Sequence, residues 1–512
     1  MTNGYINMNH QVYAPNIHLF AYHLQSEKNP CLLYAKVDEI FAKLNIPNFN
    51  LSQRIDLQKE PDRLRVDLLK DEEIAKNDNI SPPFQGNFTL EEKTLNFDGF
   101  AYPLRIQDSY ALTLNIRIPE KDEKDNDTEY VGTALLSQFN PDYSLLPNFI
   151  ASSLGQTLLI TAWVAEDKRD LFPDYLELVF EESSGKDSYL TDLAQECLEA
   201  FITDREKQPS FHREGELFGS PIYEYGILGD KTPYQHILVW LFCNKETDKK
   251  FSKCYQDLID LFCYRNKIIQ SYRDSRQVYK ALDITYNKIE QEIDAVENIT
   301  TTDTLSEDDL NKLQQKLKIL AKSASEYTRL LRDLEEQRHT IAINTRNYGE
   351  KLKQIKVKIE KENSFWFGKD LDFLERFLSS NCRRFQSQIK ANLGYFVPGE
   401  GLLDRAIASI RGIVEIEQTR IDRQRQKDAQ EERDAIATAD KALQNEIQAI
   451  GIAVGAGAIM ASTSGLITQP WQTPSLSRPL HPFLIALFLS VIVAVASGWI
   501  VRLWQKTKDK QN

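Results

Sequence analysis

The sequence predicts an α+β chain in three parts. A mixed α/β N-terminal domain comes first, long antiparallel coiled-coil or stalk helices follow, and a two-helix transmembrane hairpin ends the chain. Three observations predict this order. Strand-like runs are confined to about the first 250 residues. From about Phe251 apolar residues recur at spacings of three and four. Two charge-free apolar segments, Ile447–Ile467 (21 residues) and Phe483–Val501 (19 residues), lie close to the C-terminal end. A helix needs about 20 apolar residues to cross a bilayer core of roughly 30 Å. The Pro-rich link over 468–482 is too short to hold a domain. A pair of buried core helices would also be apolar, but no other stretch of the chain is comparable.

Composition bounds the function. The 512 residues are enough for several domains, and the net charge of −13 argues against a broad nucleic-acid face, so no nucleic-acid partner is expected. Mean hydropathy is −0.44, as for a largely water-facing chain with a small membrane part. The six cysteines are scattered without a CxxC pair, which suits a reducing compartment and neither a disulfide scaffold nor a zinc site. The N-terminal stretch has no basic segment followed by an apolar one, so no signal peptide is expected. The tail carries Arg502, Lys506, Lys508 and Lys510, whereas the link between the apolar segments has only Arg478. Positive residues stay inside. The expectation is a two-helix protein of the cell (inner) membrane with both termini cytoplasmic. Trp471, Trp499 and Trp504 fall near the expected interfaces.

The predicted domains are a cytoplasmic α/β domain (1–250), a helical coiled-coil domain (251–400), a stalk helix (401–446), the hairpin (447–504) and a basic tail (505–512). Within the first, Cys31–Ile46 places Leu33, Val37, Ile40, Phe41 and Leu44 on one helical face. Residues 50–79 are charged and poorly patterned, and no element is assigned there. Tyr110–Ile118 alternates cleanly, as a half-buried strand does. The charge run Glu120–Glu129 reads as a solvated loop. Gln156–Val164 reads as a buried strand, and Ser188–Ile202 as an amphipathic helix with Leu190, Leu193, Cys197, Leu198 and Phe201 inward. Pro221–Ile227 and Gln235–Phe242 read as an antiparallel pair.

A first long helix runs from Phe251 to a polar break at 298–304, where Ser306 and Asp309 make a capping-box start for the next. That next helix holds its 3–4 alternation from Leu310 to Ile359, about seven heptads and roughly 75 Å. Arg338 and Thr345 interrupt its seam, either to fix register or as tolerated exceptions. The aromatic stretch Ser364–Gly368 ends it, and a shorter helix covers Leu371–Leu393. Gly394, Pro398, Gly399 and Gly401 then predict a complete break. No proline occurs between Leu403 and Gly451, so one helix is expected to run from Leu402 into the first apolar segment. Its middle, Arg420–Glu446, is polar all round, which suits a helix supported by neighbours in an assembly.

The first apolar segment repeats small residues every four positions: Ala449, Ala453, Gly457, Ala461 and Gly465. Such a stripe lets helix backbones approach closely in lipid. Glu446 and Gln448 stand at its inner mouth, and Ser462, Thr463 and Ser464 near its outer end. The pore-lining or helix-packing candidates are therefore Glu446, Gln448, Ala449, Ala453, Gly457, Ala461, Ser462, Thr463 and Gly465. Packing without conduction is the alternative, with the hydroxyls bonding their own backbone carbonyls.

An α/β domain, long antiparallel helices, a long helix entering the first of two C-terminal membrane segments, a short outer loop and the basic tail Arg502–Lys510 together resemble the CorA-type two-transmembrane ion-transporter superfamily. The resemblance covers roughly the last 110 residues well and the rest in outline. It implies a homo-oligomer, a pentamer in that family, with the first membrane helix lining a pore. The family's Gly-Met-Asn signature is absent; Ser464-Gly465-Leu466-Ile467-Thr468 stands in its place. Divergent relatives without the signature occur among bacterial defence effectors, in which a cytosolic domain senses a signal and the membrane part acts.

No Walker A, GxSxG, HExxH or EF-hand pattern occurs, so no enzyme activity and no cofactor are expected. His18 and His23 are the one close histidine pair, and Glu166–Asp170 reads as a mixed-charge solvated turn. Two functions lead, and a membrane-tethered enzyme with a site that no motif marks is a weaker third. One is an oligomeric channel or membrane effector gated by its cytoplasmic domain. The other is a membrane-anchored scaffold or receptor that binds a partner without conducting. The expected partners are the bilayer, further copies of the chain, and a small-molecule or protein signal.

Overall fold

Strand β1 (Gln11–Leu24) is the middle of the molecule's sheet, hydrogen-bonded along both edges. The computed structural model describes residues 10–27, 29, 31–46, 49–77, 81–90, 93–171, 187–229, 233–301, 305–360 and 370–431. After β1 come the helices α1 (Leu32–Lys43) and α2 (Leu51–Arg54), strand β2 (Arg65–Asp67) and α3 (Asp71–Asn77). Strands β3 (Pro83–Leu90), β4 (Lys93–Ile106), β5 (Ser109–Arg117) and β6 (Val131–Gly132) follow. Next are α4 (Pro147–Ile150), β7 (Gly155–Val164), α5 (Asp187–Phe201), β8 (Phe211–Leu217), β9 (Ser220–Tyr225) and β10 (Ile237–Phe242). The helices α6 (Lys245–Thr300), α7 (Glu307–Glu360), α8 (Asp372–Arg376) and α9 (Arg383–Glu431) complete the described chain.

The described strands form one ten-stranded sheet in the order β2-β4-β5-β1-β7-β10-β9-β8, with β3 also on β4 and β6 on β1. Every pairing is antiparallel except β7 with β10, which run parallel from Leu158↔Ile237 to Trp163↔Phe242. Local patterning assigns no element to β1, β3, β4 or β8. The β8–β9 hairpin turns at Phe218 and Gly219, both at positive φ (53° and 82°), a mirror-image turn that suits the strand twist.

Side chains alternate across the sheet into two cores. Ile17, Leu19 and Ala21 of β1, Leu112 and Leu114 of β5, and Leu158 and Ile160 of β7 share a buried cluster with Leu33, Val37 and Phe41 of α1 and Leu193, Cys197 and Phe201 of α5. The opposite face of β1 meets α6. Phe20 lies 5.1 Å from Phe262, and the Tyr22 hydroxyl donates to the Ile259 carbonyl at 2.7 Å. Because both faces are covered, β5 is buried from Ser109 to Ile116 rather than half-buried. Its alternation is apolar against hydroxyl and amide, with Thr113 and Asn115 at 0% and 2% exposure, and that mimics a solvated face in the sequence.

The chain divides into two units, the first comprising 1–280 and 332–393 and the second 281–331 and everything from 394. In the first, α6 and α7 run antiparallel: Lys351 pairs with Asp257 (3.4 Å) and Asp260 (3.0 Å). The Tyr272 ring stacks on Phe385 of α9 at 4.0 Å. In the second unit the same three helices meet again. Lys316 pairs with Glu292 at 2.6 Å, and the Tyr327 hydroxyl donates to the Phe396 carbonyl at 2.7 Å. Ser306 and Asp309 form the expected reciprocal cap of α7. Each side chain accepts from the other residue's backbone N–H at 3.2 Å. Arg338 and Thr345 are half-buried, and Arg338 is paired with Glu335 on its own helix.

The break expected at Gly394–Gly401 does not occur. Helix α9 runs through Pro398 from Arg383 to Glu431. An interior proline removes one backbone hydrogen bond and costs about 3 kcal/mol. Packing around it offsets that loss. Phe396 and Tyr327 are fully buried, and Leu403 is 1% exposed. Gly399 is what permits the approach: a Cβ there would stand 2.6 Å from the Tyr327 hydroxyl and 3.0 Å from the Tyr286 ring. The segment over 371–393 is likewise not one α-helix, since α8 gives way to a π-helical turn, Phe377–Cys382, before α9.

Candidate ligand cleft

Strands β7 and β10 end side by side at Trp163 and Phe242, and two residues after Phe242 the chain turns into α6. The turn is fixed by Asn244, whose side-chain carbonyl accepts from the Thr247 backbone N–H at 2.9 Å. In open sheets with parallel strands, space outside their carboxyl ends is where ligands collect, because the connections part there. A cleft of about 450 Å³ occupies this place. That is within the usual range for small-molecule sites, about 300–1,000 Å³.

Its floor is aromatic. Trp163, Phe242 and Phe251 are buried, with Phe242 5.5 Å from Trp163 and 5.9 Å from Phe251, edge to face. Its rim is charged. Asp98 holds Arg117 at 2.6 Å, and Lys121 is paired with Asp125 at 2.8 Å. The Glu120 carboxylate accepts from the Trp163 indole N–H at 2.7 Å, which fixes the ring. Asp248, in the first turn of α6, is half-buried and has neither a hydrogen bond nor an ion-pair partner among the described residues. Burial, and then the neighbouring charge of Glu120, raise its pKa above the ordinary aspartate value, against a smaller opposing pull from Arg117. A cleft carboxyl perturbed this way marks a functional candidate.

Between the sheet and α6 lies a second polar feature, enclosed except for part of Arg213. Glu224 of β9 accepts from Arg213 Nε (2.6 Å), Arg265 Nη2 (2.8 Å) and His236 Nε2 (3.2 Å). Although burial opposes it, the His236 N–H and the two guanidiniums hold its carboxyl well below the usual range. Burial and the charge of Arg265 lower His236 to about 4, so it is neutral at pH 7 and its contact with Glu224 is an N–H···O⁻ hydrogen bond. Its Nδ1 then accepts from the Thr157 hydroxyl at 2.9 Å, and Thr157 accepts from the Asn266 amide at 3.1 Å. This chain ties β7, β9 and α6 together. It is a positioning device for the strands that carry the cleft.

Sequence reasoning singles out none of the cleft residues as a site. Of its other candidates, His18 and His23 are buried on opposite faces of β1. Burial lowers His18 to about 3, and its Nδ1 faces the Tyr255 hydroxyl at 3.0 Å. The Glu166–Asp170 stretch is a 3-10 turn whose ion pairs, Lys168–Asp167 (2.9 Å) and Arg169–Glu166 (3.9 Å), are internal. Glu446, Gln448, Ala449, Ala453, Gly457, Ala461, Ser462, Thr463 and Gly465 all lie outside the described residues, as do the apolar segments and the stretch 364–368. Among the described residues no helix is long and apolar enough to cross a membrane, and no group of three or more His, Cys, Asp or Glu is placed to hold a metal ion. No protein-family model, curated protein or solved structure matches the chain.

Proposed function

We propose that this chain is an oligomeric, CorA-like membrane channel or membrane effector, gated by its N-terminal sheet domain. One observation carries the reading: two charge-free segments, of 21 and 19 residues, follow a Pro-free helical stretch. Helix α9 supports it, being helical as far as Glu431, 16 residues short of Ile447. In this reading α9 continues through the stalk, 401–446, into the first apolar segment, and the stripe Ala449, Ala453, Gly457, Ala461, Gly465 packs against its copies around an axis. The cleft beside α6 receives the signal, because α6 is the first of the long helices and begins in the cleft wall.

The mass of the detergent-solubilised protein tests the assembly. A ring of several copies is expected, and a monomer would overturn the channel. Ion flux from protein-containing vesicles tests conduction, with Gly457→Leu expected to abolish it by separating the packed helices. A dimer without flux would leave the anchored scaffold.

A further inference from the structure

We infer that the cleft at the ends of β7 and β10 binds an organic ammonium: a small primary amine whose charged end sits between Asp248 and Glu120 and whose carbon stem lies on Trp163, Phe242 and Phe251. This names the ligand class of the cleft read above as the signal site, and it does not depend on the membrane assembly.

The charge inventory of the lining selects the sign. Both lining cations are engaged, Arg117 by Asp98 at 2.6 Å and Lys121 by Asp125 at 2.8 Å. Among the lining carboxylates, Asp98 is neutralised by Arg117, and Glu120 is only hydrogen-bonded by a neutral indole. The Asp248 carboxylate makes no hydrogen bond or close ion pair among the described residues, and the charge of Arg117, already paired with Asp98, reaches it only as a smaller effect than burial and Glu120. An anion would meet two carboxylates without an ion pair and no cation free of one, and a neutral ligand would leave Asp248 half-desolvated and without an ion pair. Either costs binding energy that a cation recovers.

The floor then selects the kind of cation. A hard metal ion asks for six or more oxygen ligands, and the described residues offer no cluster of that kind. Three buried aromatic rings and two carboxylates in one lining instead suit a cation with an apolar body, the body packed on the rings and the charge met by the carboxylates. Hydrogen-bond acceptors in the lining, the Asp248 and Glu120 carboxylates, favour an ammonium with N–H donors over a quaternary one.

Benzylammonium and its neutral analogue benzyl alcohol are the probes, titrated into the full chain while tryptophan fluorescence and melting temperature are recorded. Trp163→Phe assigns the fluorescence change to the cleft. Benzylammonium is expected to bind and to raise the melting temperature, and benzyl alcohol to bind more weakly. Asp248→Asn removes no bond and relieves a desolvated charge, so it is expected to fold at least as stably as the parent. It should weaken benzylammonium roughly tenfold or more and leave benzyl alcohol unchanged. Glu120→Gln, which keeps an acceptor for the indole, should weaken it too. Equal binding of amine and alcohol, unchanged binding in Asp248→Asn, or no binding of the amine would each overturn the inference. A monomeric, non-conducting protein that still bound the amine would overturn the channel and leave this site standing.

Discussion

Arg265 Nη2 donates to Glu224 at 2.8 Å with both side chains at least nine-tenths buried, so each charge depends on the other for its place inside the fold. Removing one partner of a buried pair strands the other, at a cost of about 3–5 kcal/mol. Glu224→Gln should therefore lower the stability of the sheet domain by that order, read as a shift in the urea midpoint. Replacing Glu224, Arg213 and Arg265 together by apolar residues of similar volume should cost less than Glu224→Gln alone. If the triple variant is the weaker, the cluster does more than neutralise itself.

Acid should loosen the domain well above the carboxylate range. His236 and His18 are held at about 4 and about 3, below the ordinary 6.5, so the folded state binds fewer protons than the unfolded one. Their contribution is complete above about pH 6.5 and is lost as pH falls from there toward 4 and 3. Below about 4.5, Glu224 adds to the loss, because its carboxylate is favoured in the fold. Unfolding free energy measured from pH 7.5 to 4.5 should fall by a few kcal/mol. His236→Gln should flatten part of that slope, and an unchanged slope would show that His236 is not held neutral.

Pro398 is tolerated inside α9 and is not required there. Pro398→Ala restores a backbone donor and should stabilise the second unit, by up to about 3 kcal/mol if the helix is otherwise unchanged. Tyr327→Phe removes the hydroxyl that bonds the Phe396 carbonyl and should cost about 1 kcal/mol. Gly399→Ala should cost about 1–3 kcal/mol by pressing on Tyr327 and Tyr286. Thermal melts of the three variants check the account: Pro398→Ala should melt above the parent, and the other two below it.

At the start of α7 the cap can be weighed directly. Ser306→Ala and Asp309→Ala each remove one arm of the reciprocal cap, and each should lower stability by about 1 kcal/mol. Amide exchange in the first turn of α7 should quicken in both, while exchange near Tyr348 stays as it was.

Local signals carried much of this fold into the sequence. Helices α1 and α5 announce themselves by spacing, and the cap at Ser306 by residue type. The β9–β10 pair is legible from its turn. Strand β1 is not, because a strand buried on both faces has no polar phase, and Pro15 and Asn16 sit where its register with β7 shifts. At Pro398 the local rule is sound and long-range packing overrides it. The cleft is hidden for a different reason. Asp98, Glu120, Trp163 and Asp248 come from separate elements, and Glu120 opens a charge run that reads as solvated. The usable hint is the abrupt passage from the apolar strand 237–242 into the first turn of a long helix.

Helices α6, α7 and α9 each pass from one unit to the other without interruption, at 280/281, 331/332 and 393/394. A helix turns about 100° per residue, so one residue gained or lost at any of these points would rotate the rest of that helix away from both neighbours. Evolutionary change in length should therefore arrive in concert, in whole heptads added to all three helices at once. Related chains would then differ in this region by shared multiples of seven, and single-residue gaps would be confined to the loops.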